Sequence, residues 1–146
     1  MTISFTVKGP PVGWQRAGVN RWTGRHYTQE KTRNAEEEIA LAYKIAAKGR
    51  RFPPGTPIAV CVYAYFPIPK RASKATREGM ISREILPTVK PDWDNIGKLI
   101  DGLNGVAFDD DKDIVCGSVV KMYAEDPRTV FVLKDAWEVF QEEAVK

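Results

Sequence analysis

The chain has 146 residues, of which 43% are hydrophobic and 28% charged, and its formal net charge is +3. This length and balance are typical of one soluble globular domain with a sizeable core. No apolar run approaches the roughly 20 residues needed to span a bilayer, and the N-terminus lacks a signal-peptide pattern, so we expect no membrane partner. Cys61 and Cys116 lie in strand-like runs without CxxC spacing, which favours reduced, buried thiols in a cytoplasmic protein.

The small net charge hides a segregation of basic and acidic residues along the chain. Residues 1–33 carry six Lys or Arg and one Glu, and residues 68–90 carry six against two. Residues 91–113 carry seven Asp and two Lys. Two basic segments beside an acidic centre suggest a polyanionic substrate held by the flanks while a metal occupies the middle. Patchy surface charge without such a role is the alternative.

The first residues predict a strand, because Ile3, Phe5 and Val7 alternate with polar residues. The loop that follows mixes basic and aromatic side chains, which suits a nucleic-acid backbone with stacking on unpaired bases. An ordinary polar loop whose aromatic residues pack on the core is the other interpretation. The candidates for phosphate contacts in this loop are Arg16, Arg21, Arg25, Lys31 and Arg33.

A helix and a strand are predicted next. Asn34 with Glu37 gives the helix a capping-box-like start, although it can begin nearer Thr28, and Gly49 ends it. We interpret this helix as scaffold. Residues 57–66, PIAVCVYAYF, are apolar on both faces and predict a central strand.

The stretch of residues 68–90 has many charges and no sustained apolar period. A loop of that length in a compact domain is usually functional or disordered. Because it leads directly into the acidic segment, we expect a mobile basic arm near the site. Its candidates for phosphate contacts are Lys70, Arg71 and Lys74.

The acidic segment contains a helical pattern between two groups of carboxylates. Its apolar residues recur at i, i+3, i+4 and i+7, which predicts one buried face made of Ile96, Leu99, Ile100 and Leu103. At 100° per residue, Asp94, Lys98 and Asp101 share the opposite face. Asp94 is the predicted N-cap of the helix, and Gly105 is predicted to end it in the left-handed backbone conformation. A helix of about ten residues is roughly 15 Å long, so the chain must double back for the two acidic groups to meet.

Carboxylates drawn together repel one another, and a folded protein that concentrates them normally supplies a cation. Ligation by carboxylate oxygens suits Mg²⁺ or Mn²⁺, which keep bound waters beside a phosphate substrate. Lys98 would add a positive charge beside the metal.

Two strands and a helical tail complete the prediction. Residues 114–123 and 129–133 are strand-like, and the turn residues 125–128 between them predict an antiparallel hairpin. The spacing of Trp137 and Phe140 predicts a helical tail that caps the sheet or contacts a second subunit. We therefore expect a single α+β domain over residues 1–146, with a mixed four-stranded sheet, two main helices in the order β-α-β-α-β-β, and this tail.

The acidic segment resembles the signature of the RusA family of Holliday junction resolvases, which phages and prophages commonly encode. The matching letters are KPDWDNI-K at residues 90–98, DGLNG at 101–105 and DD--I at 110–114. The early segments GPPVGWQR and YTQEKTR resemble the basic N-terminal region of that family. The resemblance therefore covers most of the chain.

The resemblance implies a homodimeric, Mg²⁺-dependent endonuclease, with Mn²⁺ as a substitute, that resolves four-way DNA junctions in recombination and repair by paired symmetric nicks. The essential acids of the family fall on Asp92, Asp94 and Asp111, which would hold the metal. The catalytic lysine of the family falls on Lys98. Candidate supporting acids at other acidic positions of the motif are Asp101 and Asp110.

Two positions depart from the family pattern. Trp93 is bulkier than the common aliphatic residue, and Asp113 stands where an amide residue is frequent. We expect an extra carboxylate at Asp113 to loosen metal selectivity. Whether one or two ions bind stays open at this point.

Two other classes of function also stay open. One is a non-catalytic DNA-binding module whose acids bind structural Ca²⁺ or only cap helices and turns, although residues 109–113 do not fit the EF-hand pattern. The other is an interaction protein that uses its C-terminal helix and acidic surface.

Overall fold

A mixed four-stranded sheet forms the centre of the protein, whose computed structural model describes residues 1–144. The strands of this sheet are β1 (Thr2–Lys8), β4 (Ile58–Pro67), β5 (Ile114–Ala124) and β6 (Arg128–Asp135). A separate ribbon pairs β2 (Gly18–Val19) with β3 (His26–Tyr27). The helices are α1 (Glu30–Ala47), α2 (Lys74–Ile81), α3 (Trp93–Gly97) and α4 (Trp137–Ala144), with 3₁₀ segments at Lys98–Leu103 and Asp111–Asp113. The predicted single α+β domain with a mixed four-stranded sheet is confirmed.

The core lies between one face of the sheet and α1. The Phe5 ring stacks on Phe131 at a centroid distance of 5.0 Å and meets the Tyr43 ring edge-on at 5.9 Å. The Tyr43 hydroxyl is satisfied, because it donates to the carbonyl oxygen of Arg50 at 2.8 Å. Ile39, four residues before Tyr43 and thus on the same face of α1, is also buried.

Helix α1 begins at Glu30, four residues before the capping box predicted at Asn34. Its N-cap residue, Gln29, makes no side-chain capping bond. The first turn is instead held by a tertiary contact, since the buried Thr32 accepts the backbone N–H of Gln15 on its hydroxyl at 2.9 Å. The predicted start at Asn34 was therefore wrong, and the alternative start nearer Thr28 is confirmed.

The predicted hairpin between β5 and β6 is wrong, because β4 lies between these two strands. The strand order is β1-β6-β4-β5, with β4 parallel to β5 and antiparallel to β6. The connection passes over the end of β4, where the Arg128 guanidinium lies 3.9 Å from the centroid of the Tyr65 ring. Because β4 is apolar on both faces, a central position buries more of its apolar surface than an edge position would. The sequence predicted this central position.

The predicted basic arm contains a helix that the sequence pattern did not indicate. Ser73 caps α2 by accepting the backbone N–H of Thr76 at 3.1 Å. Only Gly79 and Met80 of this helix are buried, so its two turns are too short to establish an apolar period. The interpretation of residues 68–90 as one irregular loop was therefore wrong.

Helix α3 begins two residues earlier than predicted, with Asp92 rather than Asp94 as its N-cap residue. The Asp92 carboxylate makes no capping bond to the first turn. The predicted tail is present as α4, and its last residues, Val145 and Lys146, lie outside the described part of the chain. Across residues 1–144, no helix combines the length and apolar character that a bilayer crossing demands.

The first of the two 3₁₀ segments, Lys98–Leu103, is the one called the 3₁₀ segment from here on. It packs so closely on α1 that only glycine fits at position 102. A Cβ atom on Gly102 would lie 2.8 Å from the Cβ atom of Glu36 and 2.9 Å from its Cα and carbonyl oxygen. Two of these three atoms belong to the backbone of α1, so no side-chain movement relieves the clash. The missing side chain of Gly102 therefore sets the distance between α1 and the acidic segment.

Gly102→Ala is expected to push these two segments apart and to lower the free energy of unfolding by about 1–3 kcal/mol, measured by urea denaturation. Gly117→Ala on β5 is the matched control, because its Cβ would meet only the Val60 carbonyl oxygen, at 3.5 Å. Equal midpoints for Gly102→Ala and wild type would contradict the packing described here.

Candidate active site

The chain reverses direction between the 3₁₀ segment and β5, which returns the second acidic group to the first. Gly105 has a φ of +75°, in the left-handed region predicted for it. Its N–H donates to the carbonyl oxygen of Phe108 at 2.7 Å, and the N–H of Ala107 donates to that of Leu103 at 2.9 Å. Phe108 and Ala107 are fully buried, so this reversal is fixed to the core.

The reversal creates a cleft of about 400 Å³ between α3, the 3₁₀ segment and β5. Its apolar floor includes Val60 and Val62 of β4 and Val119 of β5. We call it the acidic cleft, because its charged lining residues are Asp94, Lys98, Asp101 and Asp111. The structure thus brings together carboxylates from both acidic groups of the sequence.

Asp111 lies among other carboxyl groups. Its pKa is raised, first by a hydrogen bond with the Asp110 carboxyl, then by partial loss of water and by contact with Asp101. The pKa of Asp110 is lowered, chiefly because this carboxylate accepts the backbone N–H of Lys112 at 2.9 Å. Of these two neighbours, Asp111 is therefore the more readily protonated. An added cation would offset the repulsion most effectively at this carboxyl.

Lys98 also lines the acidic cleft and has three defined neighbours. Its Nζ lies 3.7 Å from Oδ2 of Asp94 and 3.4 Å from Oδ1 of Asn95. The same Nζ lies 4.8 Å from the centroid of the Trp14 ring, and the backbone N–H of Trp14 donates to the carbonyl oxygen of Asn95 at 2.8 Å. The N-terminal loop therefore contributes to the position of this lysine, since the half-exposed ion pair alone is weak.

Asp92 lines a neighbouring cleft rather than the acidic cleft. This flanking cleft has a volume of about 480 Å³ and shares Trp93 and Asp94 with the acidic cleft. Lys90 and Lys121 supply its positive charge. Among the side chains that the structure describes, no three acidic, His or Cys residues are grouped closely enough to hold a metal ion as they stand.

Comparison with known proteins identifies the family. The family model described as endodeoxyribonuclease RusA matches residues 8–134. The chain belongs to the RusA family. A Bacillus subtilis (strain 168) protein, named uncharacterized protein YqaN, is 32% identical over 142 residues, which cover 91% of this chain and 96% of that protein. The family resemblance found in the sequence is thus confirmed, and it marks the chain as a member of a nuclease family.

In this RusA-family chain, Asp113 is a structural residue. It is buried, and its Oδ2 accepts the backbone N–H of Gly55 at 3.2 Å while Oδ1 lies 3.3 Å from Nζ of Lys112. Asp113 therefore faces the loop before β4. Its position gives no support to the expectation that it loosens metal selectivity.

Glu36 is an acidic neighbour of the site on α1, the helix that the sequence analysis interpreted only as scaffold. Its pKa is raised, first by burial and then by the charge of Asp101. The contact joins residues far apart in the sequence, so no local pattern indicates it. The one signal that the sequence offers is Gly102, because a glycine beside an acidic motif permits close approach of another backbone.

The eight basic residues predicted to contact phosphates are all exposed. Among the side chains of residues 1–141, none of them has a salt-bridge partner. In the N-terminal group, the three arginines before residue 26 lie in or beside the β2–β3 ribbon, while Lys31 and Arg33 lie in the first turn of α1. The second group lies just before and at the start of α2. Their charges are therefore available to an anionic ligand.

Glu36→Gln is expected to stabilise the protein at about pH 7.5 and to have little effect at about pH 3, below the ordinary glutamate pKa. The folded protein holds the Glu36 proton more tightly than the unfolded chain, so stability is lost as pH rises through the raised pKa. Thermal melts of wild type and variant at both pH values measure the difference. Glu37→Gln, an exposed neighbour on α1, is the control, and equal shifts for both variants would contradict this assignment.

Proposed function

We propose that this protein is a metal-dependent endonuclease that resolves four-way DNA junctions by paired, symmetric nicks. Membership of the RusA family supports the class of activity. The observation that carries the proposal is the acidic cleft, where carboxylates from two separate sequence groups lie with one lysine.

The donor chemistry of this site fits Mg²⁺, with Mn²⁺ as a substitute, because both ions prefer carboxylate oxygens. Asp92, Asp94 and Asp111 would hold the ion, with Asp101 and Asp110 in support. Asp92 and Asp94 are exposed, the Asp92 carboxylate makes no capping bond, and the Asp94 ion pair with Lys98 is half-exposed, so both carboxylates are accessible to an ion. The bound ion would supply a positive charge that polarises the scissile phosphate and lowers the pKa of a bound water.

Lys98 is the chain's own cation in the acidic cleft. We assign it the stabilisation of negative charge that develops on the phosphate during cleavage, because its ammonium group lines the same cleft as Asp94 and Asp111. Its contacts with Asn95 and Trp14 restrict its position before the substrate arrives. Such restriction favours catalysis, since less reorganisation is needed at the moment of reaction.

The exposed basic residues hold the DNA arms on either side of the acidic cleft. The N-terminal group contains Arg16, Arg21, Arg25, Lys31 and Arg33, and the second group contains Lys70, Arg71 and Lys74. Contacts of this kind position a duplex without reading its sequence. Branch recognition then depends on the geometry of the arms.

A homodimer would supply the two active sites that paired nicks require. Two exposed apolar surfaces favour this assembly, namely Val115 and Val120 on the edge strand β5 and Trp137 and Phe140 on α4. Native proteins usually cover edge strands and apolar patches of this kind. Light scattering should give a mass twice the 16.4 kDa of one chain, and a monomer at micromolar concentration would contradict the dimer.

The non-catalytic alternative has partial support from two residues. Asp110 caps a 3₁₀ turn by accepting the backbone N–H of Lys112, and Asp113 accepts the backbone N–H of Gly55. Both contacts are of the kind expected for acids with a structural role. Asp94, Asp101 and Asp111 instead line the acidic cleft. The cleavage experiment below separates the two functions.

Asp111→Asn is expected to bind a synthetic four-way junction with unchanged affinity and to cut it about 10²- to 10³-fold more slowly, as when other electrostatic stabilisers are removed. Gel assays on junction, duplex and flap DNA with Mg²⁺, Ca²⁺ or EDTA measure both properties. Asp109→Asn is the matched control from the same acidic run, because Asp109 pairs with Arg51 at the surface. Wild-type binding without cleavage would favour the non-catalytic module.

Replacing Arg16 and Arg25 with Gln is expected to weaken binding to DNA of any sequence. The slope of log K against log salt should become shallower by about 0.9 for each duplex phosphate that the variant no longer neutralises. Lys44→Gln, on the outer face of α1, is the control. An unchanged slope in the double variant would exclude this surface as the DNA-binding surface.

A further inference from the structure

We propose that the flanking cleft binds one unpaired nucleotide next to the scissile phosphate, with its base stacked on Trp93. This inference rests on the proposed nuclease function and adds a subsite to it. It concerns the cleft lined by Thr88, Val89, Lys90, Asp92, Trp93, Asp94 and Lys121.

Trp93 is the wall between the two clefts. It is the first residue of α3, lies between Asp92 and Asp94 in sequence, and lines both clefts. Its side chain is 64% exposed, so it contributes little to the core. A large aromatic surface left open to water beside a site for DNA is a suitable stacking platform, since every base presents a π face.

The flanking cleft also carries a cation that is already positioned. Nζ of Lys121 donates to the carbonyl oxygen of Val89 at 2.6 Å and lies 5.0 Å from the centroid of the Phe66 ring. Lys90 lines the same cleft. Lys90 and Lys121 thus lie on the side of Trp93 that faces away from the acidic cleft. This arrangement suits a nucleotide, because its base can stack on the tryptophan while its phosphate contacts the lysines.

The size of the flanking cleft is consistent with one nucleotide. Its volume of about 480 Å³ lies within the roughly 300–1,000 Å³ of small-ligand sites. Inside a duplex both faces of a base are covered by its neighbours, so stacking on Trp93 requires a base that has left the helix. Substrates that offer an unpaired nucleotide beside the cut, as at a branch point, should therefore be favoured over continuous duplex.

Photocrosslinking tests the contact directly. The position of the cut is first mapped with wild-type protein. 5-Iododeoxyuridine is then placed at each nucleotide on either side of the cut, in a junction bound to the Asp111→Asn protein. Peptide mass spectrometry should find the crosslink on Trp93 for one adjoining position. A crosslink confined to other residues would overturn the proposal.

Binding measurements give the second readout. In the Asp111→Asn background, Trp93→Leu should weaken junction binding about 5- to 100-fold, Trp93→Phe should restore most of it, and affinity for continuous duplex should not change. Leu41→Ala is the control, because that side chain is 60% exposed on α1 but lines neither cleft.

The outcomes separate this proposal from the function on which it rests. If wild-type protein cuts no DNA, the nuclease function fails and the subsite with it. If wild type cuts but Trp93→Leu binds the junction normally, only the subsite fails. If Trp93→Leu changes the mass of the free protein, Trp93 belongs to a contact between copies and the proposal is overturned.

Discussion

Repulsion between carboxylates held in one cleft is the constraint on which the rest of this structure depends. Asp101 and Asp111 approach each other across the acidic cleft, Asp110 adjoins Asp111, and Glu36 adjoins Asp101. Each of these contacts opposes folding when both partners are ionised. The fold maintains them through packing, and the proposed divalent cation would offset the repulsion.

Two features of the backbone create this arrangement. The missing side chain of Gly102 allows α1 to approach the 3₁₀ segment, and the left-handed Gly105 starts the reversal that returns Asp111 to Asp101. Both features are anchored by buried residues rather than by polar contacts within the cleft. The acids therefore stay together although their charges favour separation, as expected for a site built to bind a charged partner.

The part of this site that lies on one helical stretch was predictable from the sequence. The helical period of the acidic segment places Asp94, Lys98 and Asp101 on one face, and all three line the acidic cleft. That prediction needed only local information, since apolar residues such as Leu103 fix the opposite face. The central place of β4 followed in the same way from its uninterrupted apolar run.

Features that depend on contacts between distant residues were not predictable. The place of β4 between β5 and β6 is decided by pairing over long sequence separations, so the turn at residues 125–128 was mistaken for a hairpin turn. The start of α1 depends on a bond from Gln15 to Thr32, and the role of Glu36 on its approach to Asp101. A local propensity carries no information about such partners.

The most direct test is a carbon NMR titration of the Asp111 carboxyl in wild-type protein, with and without Mg²⁺, and with Asp111→Asn to assign the signal. We expect a pKa above the ordinary aspartate value without the ion, because Asp110 and Asp101 crowd this group, and a marked fall in that pKa when Mg²⁺ is added. An ordinary pKa that Mg²⁺ leaves unchanged would contradict the view that the fold gathers these carboxylates to bind a metal ion.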